Sequence, residues 1–293
     1  MRPYLLLLFA CLSISPGIFA QDTAVIHEQK IYKTINCKNL TADVFYTSET
    51  IQKGLSPAIA FFHGGGWAYG SPSEFYTTCI RYAKKGFVTF SFQYRLSKTA
   101  EGTVPDPDIT LVECVKDARS ALRWVRENAG SFHIDPDKII AAGQSAGGQL
   151  ALSTAMFDDI NEESDNMDIS PVPNALLLFS SNLNTMEAWA DWLMGERRNE
   201  IWSVSPYHNL KPGLPPAIEF HGTEDCMVPI YIMNLFKEKT RSMGNYFESI
   251  VFEGRGHYLD EGNEKYATYY DEKILEQTDD FLKKFGYLTD VHY

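Results

Sequence analysis

The chain has no run of basic residues and no patch in which basic and aromatic residues interleave. Its 38 acidic residues outnumber 26 basic ones, for a formal net charge of -12. A surface of that sign repels phosphate backbones and anionic lipid headgroups, so nucleic acid and anionic membrane faces are excluded as partners. Beyond the first twenty residues no apolar stretch is long enough to cross a bilayer, so no integral span is expected. No repeat, low-complexity tract or linker divides the chain, and 293 residues with 44% hydrophobic content suit one domain around one large core. Cysteine and histidine fall at no metal-ligand spacing, and no glycine-rich phosphate loop is present. Neither a metal nor another cofactor is expected. Nothing in the sequence sets the oligomeric state.

Cysteine is also scarce, with five in all. The N-terminus reads as a targeting segment: Arg2 supplies a positive start, residues 4–12 are apolar, and Pro16 precedes a cut after Ala20. This makes residues 1–20 a signal peptide, residues 21–293 the domain, and the protein exported, periplasmic or secreted. An alternative is lipid anchoring through Cys11, since Leu8-Phe9-Ala10-Cys11 is similar to a lipobox. Cys37, Cys79, Cys114 and Cys226 then remain for two disulfides in three connectivities, or for simple burial.

Alternating segments between residues 24 and 48 predict two antiparallel strands. Pro57-Ala58-Ile59-Ala60-Phe61-Phe62 is apolar without alternation, as a strand buried on both faces should be. Residues 87–92, 138–142 and 175–179 read alike, and residues 216–220 and 247–252 read as further strands of the same sheet. Between them lie helical patterns at residues 74–85, at 111–125 behind Asp108 as N-cap, at 146–156 and at 229–243, with a closing helix over 266–285. The rhythm predicts a mostly parallel sheet with helices on both faces. Residues 182–216 break it and read as a short cap insertion with one aromatic helix near residues 186–194.

The centre of this pattern is Gly143-Gln144-Ser145-Ala146-Gly147, between an apolar strand and a buried helix. A serine on a sharp strand-to-helix turn needs nearly side-chain-free neighbours two residues away on either side. Three more groups fall at the carboxyl ends of predicted strands, where parallel sheets bind ligands. They are His63-Gly64-Gly65-Gly66-Trp67, Asp225 in His221-Gly222-Thr223-Glu224-Asp225, and His257 in Gly254-Arg255-Gly256-His257.

Taken with Gln93-Tyr94-Arg95-Leu96, these motifs resemble the hormone-sensitive-lipase-like and acetyl- or feruloyl-esterase-like branch of the α/β-hydrolases. The resemblance covers residues 57 to the C-terminus. It departs at Gln93, where the branch carries Asp, and at Gln144, where Asp, Glu or His is common. It implies an α/β-hydrolase fold and a serine carboxylesterase acting through an acyl-enzyme. Ser145 would be the nucleophile, His257 the base and Asp225 the acid that orients it. Gly64, Gly65 and Ala146 would offer the oxyanion hole through their N–H groups. Glu224 competes with Asp225, and His208 and His221 with His257; the position of His221 at a strand exit suits a structural role. Trp67, Trp189 and Trp192 are candidate substrate-binding residues, although aromatics at helical spacing, Trp202 among them, also pack caps. The expected substrate is a short-chain acyl ester, small or carried on polysaccharide. A prolyl-oligopeptidase-like exopeptidase would need an added propeller domain, and an inactive binding module would normally have lost a triad member.

Overall fold

The computed structural model describes residues 24–52, 54–99, 104–259 and 271–289. The targeting segment with Cys11, and residues 266–270 of the expected closing helix, lie outside the described residues. Strands β1 (Val25–Ile35) and β2 (Lys38–Thr47) pair antiparallel. Their two turn residues, Asn36 and Cys37, take the positive φ a tight hairpin demands, 48° and 59°. A short helix α1 (Ser48–Gln52) leads to β3 (Ser56–Phe62), followed by β4 (Val88–Phe92), β5 (Ile134–Gln144), β6 (Ala175–Phe179), β7 (Ala217–Gly222) and β8 (Phe247–Phe252). The order across the sheet is β1-β2-β4-β3-β5-β6-β7-β8; β2 meets β4 antiparallel and every later pair is parallel.

The missing alternation in these strands reflects burial on two sides. In β3, Ala58, Ala60 and Phe62 enter a core with Val115, Leu122, Leu150 and Phe236. These belong to α3 (Leu111–Glu127), α4 (Ala146–Met156) and α6 (Ile230–Ser242). Ile59 and Phe61 enter the opposite core with Tyr82 of α2 (Tyr76–Lys84) and Phe281 of α7 (Glu272–Lys284). Each such large side chain stabilises the fold by about 1.5–3 kcal/mol.

Several boundaries differ from expectation. β5 starts at Ile134 rather than at residue 138, its first residue pairing with Ser56 ahead of a register shift. The N-cap of α3 is Thr110, not Asp108. The Thr110 hydroxyl accepts from Val112 N–H (3.3 Å), while the Glu113 carboxylate takes Thr110 N–H at 2.9 Å. This reciprocal capping box outweighs a lone Asp. The pattern at residues 74–85 begins as a 3₁₀ turn, Pro72–Phe75, because Pro72 favours a first helical turn. Residues 182–216 lie between β6 and β7 and carry α5 (Ala188–Met194) with 3₁₀ segments Gly195–Val204 and Pro206–Asn209, packed against α3 and α4. The four cysteines are unpaired: Cys79 and Cys114 are buried and Cys37 and Cys226 exposed, so the two-disulfide option is not realised.

Candidate active site

β5 ends at Gln144 and α4 begins at Ala146, so Ser145 alone turns the chain. Its φ of 53° and ψ of -118° lie where non-glycine residues rarely go. The strained turn is tied on both sides. Ser145 N–H donates to the Phe179 carbonyl (2.9 Å), and the Ser145 carbonyl accepts from Asn182 N–H (3.0 Å). The flanking glycines are forced by close approach: a Cβ on Gly143 would stand 2.2 Å from the Gly147 carbonyl oxygen, and one on Gly147 2.0 Å from that of Phe62.

Asp225 follows β7 with its carboxylate fully buried, whereas Glu224 is exposed. Asp225 Oδ1 accepts the N–H groups of Met227 (2.9 Å) and Val228 (2.8 Å), and Oδ2 faces His257 Nδ1 at 2.8 Å. With Nδ1 donating to the carboxylate, Nε2 of a neutral His257 is left as an acceptor. Among the described residues, the partner of Nε2 is not Ser145 but the Gln144 side-chain amide, Nε2 to Nε2 at 3.2 Å. Catalytic hydrogen bonds are often looser in a ligand-free site than in the reacting complex.

The rival histidines lie elsewhere. His208 bonds Ser205 Oγ (2.8 Å) and packs on Trp202. His221 is buried beneath Asp225, its Nε2 3.4 Å from Asp225 Oδ2. His63 supports the glycine loop. Its Nδ1 lies 2.7 Å from the Gly64 carbonyl, its ring stacks on Tyr94, and burial pushes its pKa down to about 4.

The loop corrects one assignment. Gly64 N–H donates to Glu74 Oε1 (3.2 Å), so it is already engaged. Gly64 instead lets Gln144 approach, since a Cβ there would meet Gln144 Oε1 at 1.9 Å. The loop residues that line the cavity are Gly65 and Gly66, and their N–H groups have no acceptor among the described residues. Gly65 has φ of 106°, which a side chain would strain. Ala146 opens α4, where the first N–H groups have no intrahelical partner.

A cavity of about 520 Å³ holds Ser145 and His257 with Trp189, Met227, Val228 and Tyr258. Trp67 also lines it but is buried, with Nε1 donating to Gln149 Oε1 (3.0 Å). Trp189 donates from Nε1 to the Gly66 carbonyl (2.9 Å), fastening residues 182–216 to the glycine loop. Trp192 does not line the cavity. It packs beside Trp189, three residues back on the same helix face (ring centroids 5.1 Å apart), and is itself exposed. Glu187, also in the wall, was not anticipated. Its Oε1 accepts from Asn182 Nδ2 (2.6 Å), and burial raises its carboxyl above the usual range. Tyr69 and Met227 likewise come from loops without a motif, and Glu74 from the 3₁₀ turn Pro72–Phe75. Among the described residues, no group of three or more His, Cys, Asp and Glu could hold a metal.

The BD-FAE family model matches residues 43–240. The chain belongs to this family of α/β-hydrolases. Curated relatives of this BD-FAE chain include Esterase LipC of Mycobacterium tuberculosis, 27% identical over 227 residues, covering 70% of this chain and 53% of LipC. Another is a probable isoprenylcysteine alpha-carbonyl methylesterase, ICMEL1, of Arabidopsis thaliana, 26% identical over 226 residues, covering 70% of this chain and 46% of ICMEL1. The chain thus spans about half the length of these relatives. Among solved structures, apo esterase 2 of Thermogutta terrifontis is 35% identical with a TM-score of 0.80, covering 90% of this chain and 97% of its own. The same esterase with propionate bound gives 36% and 0.79, covering 91% and 97%. It has also been solved with butyrate bound and phosphorylated by paraoxon. The matched part of the chain is an esterase domain.

Proposed function

We propose that the protein is an exported serine carboxylic-ester hydrolase that works through an acyl-enzyme on short-chain acyl esters, acetyl or feruloyl groups on polysaccharide among them. The observation that carries this reading is the pairing of a strained Ser145 elbow with His257 held on buried Asp225, in one cavity.

In the proposed reaction an ester carbonyl enters above Ser145 and His257 turns from Gln144 to the serine hydroxyl. Nε2 takes the Oγ proton as Oγ attacks, and Asp225 stabilises the imidazolium formed. Negative charge develops on the former carbonyl oxygen. The N–H groups of Gly65 and Ala146, with Gly66 beside them, take the oxyanion-hole role in place of Gly64; each donor contributes about 3–4 kcal/mol. His257 then returns the proton to the leaving alcohol. Water, activated by the same nitrogen, releases the acid and restores Ser145.

A short acyl preference is supported by the modest cavity and by the propionate and butyrate complexes of the Thermogutta esterase. Export rests on the signal pattern of residues 1–20. The test is a panel of p-nitrophenyl esters of rising chain length, acetylated xylan and feruloyl sugars, with a dipeptidyl anilide as counter-substrate. Expected is a kcat/KM maximum between acetyl and butyryl, with a fall well before octanoyl. Preference for decanoyl, or for the anilide, would overturn the substrate class. Mass spectrometry of the exported protein should give a mature N-terminus at Gln21.

A further inference from the structure

β7 is an interior parallel strand, yet two of its six residues, Glu219 and His221, are ionisable and fully buried. Interior strands of this kind are ordinarily apolar, and a buried carboxylate persists only when charge or hydrogen bonds compensate it. Glu219 Oε1 accepts Ser181 N–H (2.8 Å) and faces His221 Nδ1 at 3.2 Å. At the other edge of the ring, His221 Nε2 lies 2.8 Å from the Val228 carbonyl and 3.4 Å from Asp225 Oδ2. Val228 N–H in turn holds Asp225 Oδ1.

Counting protons on this ring leaves little freedom. Nε2 faces only acceptors, a carbonyl and a carboxylate, so it must carry a hydrogen. A neutral imidazole has then used its single N–H, but Nδ1 also faces a carboxylate oxygen. One further proton must therefore sit between His221 and Glu219. Among the described residues, the charged groups facing the ring are Glu219 on its own strand and Asp225 in the following loop, with His257 beyond Asp225. From the end of β6 come only the neutral Ser180 and Ser181. Two carboxylates around one imidazole place the proton on the ring, in line with a His221 pKa raised by Glu219 against the opposing effect of burial.

We propose that His221 is an imidazolium held by Glu219 and serves as a positioning residue for the catalytic acid, so that Asp225 stands between two imidazoles. His257 uses it from the cavity side and His221 anchors it from the core side. The second cation favours the ionised form of Asp225 and, by offsetting part of that carboxylate's charge, disfavours premature protonation of His257. This proposal rests on the triad assigned above.

Two measurements separate its failure from failure of that triad. The first is ¹⁵N NMR of histidine-labelled full-length protein, needing neither catalysis nor a variant. Both His221 ring nitrogens should be protonated at pH 7, and a bare Nδ1 at that pH would overturn the proposal. The second is the pH profile of kcat/KM for Glu219→Gln, which keeps shape and the Ser181 contact but removes the counter-charge. With the imidazolium lost, the acidic limb should move to higher pH by about half a unit to one unit. At pH values below the limb this is a three- to tenfold loss, with KM within about twofold. An unmoved limb in a folded variant would overturn it. If instead Asp225→Asn retains full activity while His221 is doubly protonated, the triad is wrong and the buried pair stands.

Discussion

Gln144 can be read as a competitor of Ser145 for the base. Its amide meets His257 Nε2 at 3.2 Å, and that contact must break before the nitrogen can take the serine proton. A neutral hydrogen bond of this kind contributes about 0.5–1.5 kcal/mol net, which corresponds to about a two- to twelvefold reduction in available base. Gln144 is buried, so simple truncation would open a void beside Gly64 and confuse the result. Gln144→Met is the cleaner perturbation. It nearly conserves volume, costs about 1.5 kcal/mol or less in packing, and removes the donor. The assay is kcat/KM on p-nitrophenyl acetate with burst-phase acylation, next to a thermal melt. A rise of about two- to tenfold in acylation is expected, with a melting temperature lowered by a few degrees at most. An unchanged or lower acylation rate in a folded variant would refute the competition and make Gln144 a support for His257.

Other substitutions test neighbouring parts of the account. Asp225→Asn should cut kcat by about 10⁴-fold through loss of the required tautomer, whereas exposed Glu224→Gln should stay within about twofold; comparable losses would undo the acid assignment. Gly147→Ala should destabilise the fold by about 1–3 kcal/mol in denaturant titrations and lower kcat, because its Cβ has only the backbone of Phe62 and His63 to push against. Trp189→Ala should change the acyl-length optimum, and Trp192→Ala should leave it in place with a small loss of stability; the reverse pattern would contradict the cavity wall described. His221 has a raised folded-state pKa, so the stability it contributes is complete below the ordinary imidazole range. It is lost as pH rises through the folded value. The denaturant midpoint of the wild type should therefore exceed that of His221→Gln by more at pH 6 than at pH 9.

The fold was legible because its strands are buried on both sides, and unbroken apolar runs such as residues 58–62 have few other uses. The Ser145 turn was legible for a comparable reason. A Ser145 elbow imposes glycine two residues to either side, and that demand is written locally. Asp225 and His257 were picked out by their place after strands; the structure buries Asp225 against His257 and leaves Glu224 exposed. What stayed hidden depends on contacts made across the chain. Whether Gly64 or Gly65 turns its N–H to the cavity is decided by Glu74, ten residues on. Trp189 and Trp192 look alike in sequence, and only the packing of α5 turns one inward. The Thr110 cap was readable from Glu113, three residues later, but an earlier Asp drew the assignment. Nothing local marks Glu219 and His221 as a pair, because their other partners come from the segment after β6 and from the Asp225 loop.

The central claim is that Ser145 is the single nucleophile of an acyl-enzyme route, and paraoxon labelling with peptide mass spectrometry tests it most directly. The account predicts one phosphoryl adduct per chain, on Ser145, with activity falling in proportion to labelling. Ser145→Ala should take up none and lose about 10⁵–10⁶-fold in kcat while melting near the wild-type temperature. An adduct on another residue, or a Ser145→Ala protein retaining a tenth of wild-type activity, would contradict it.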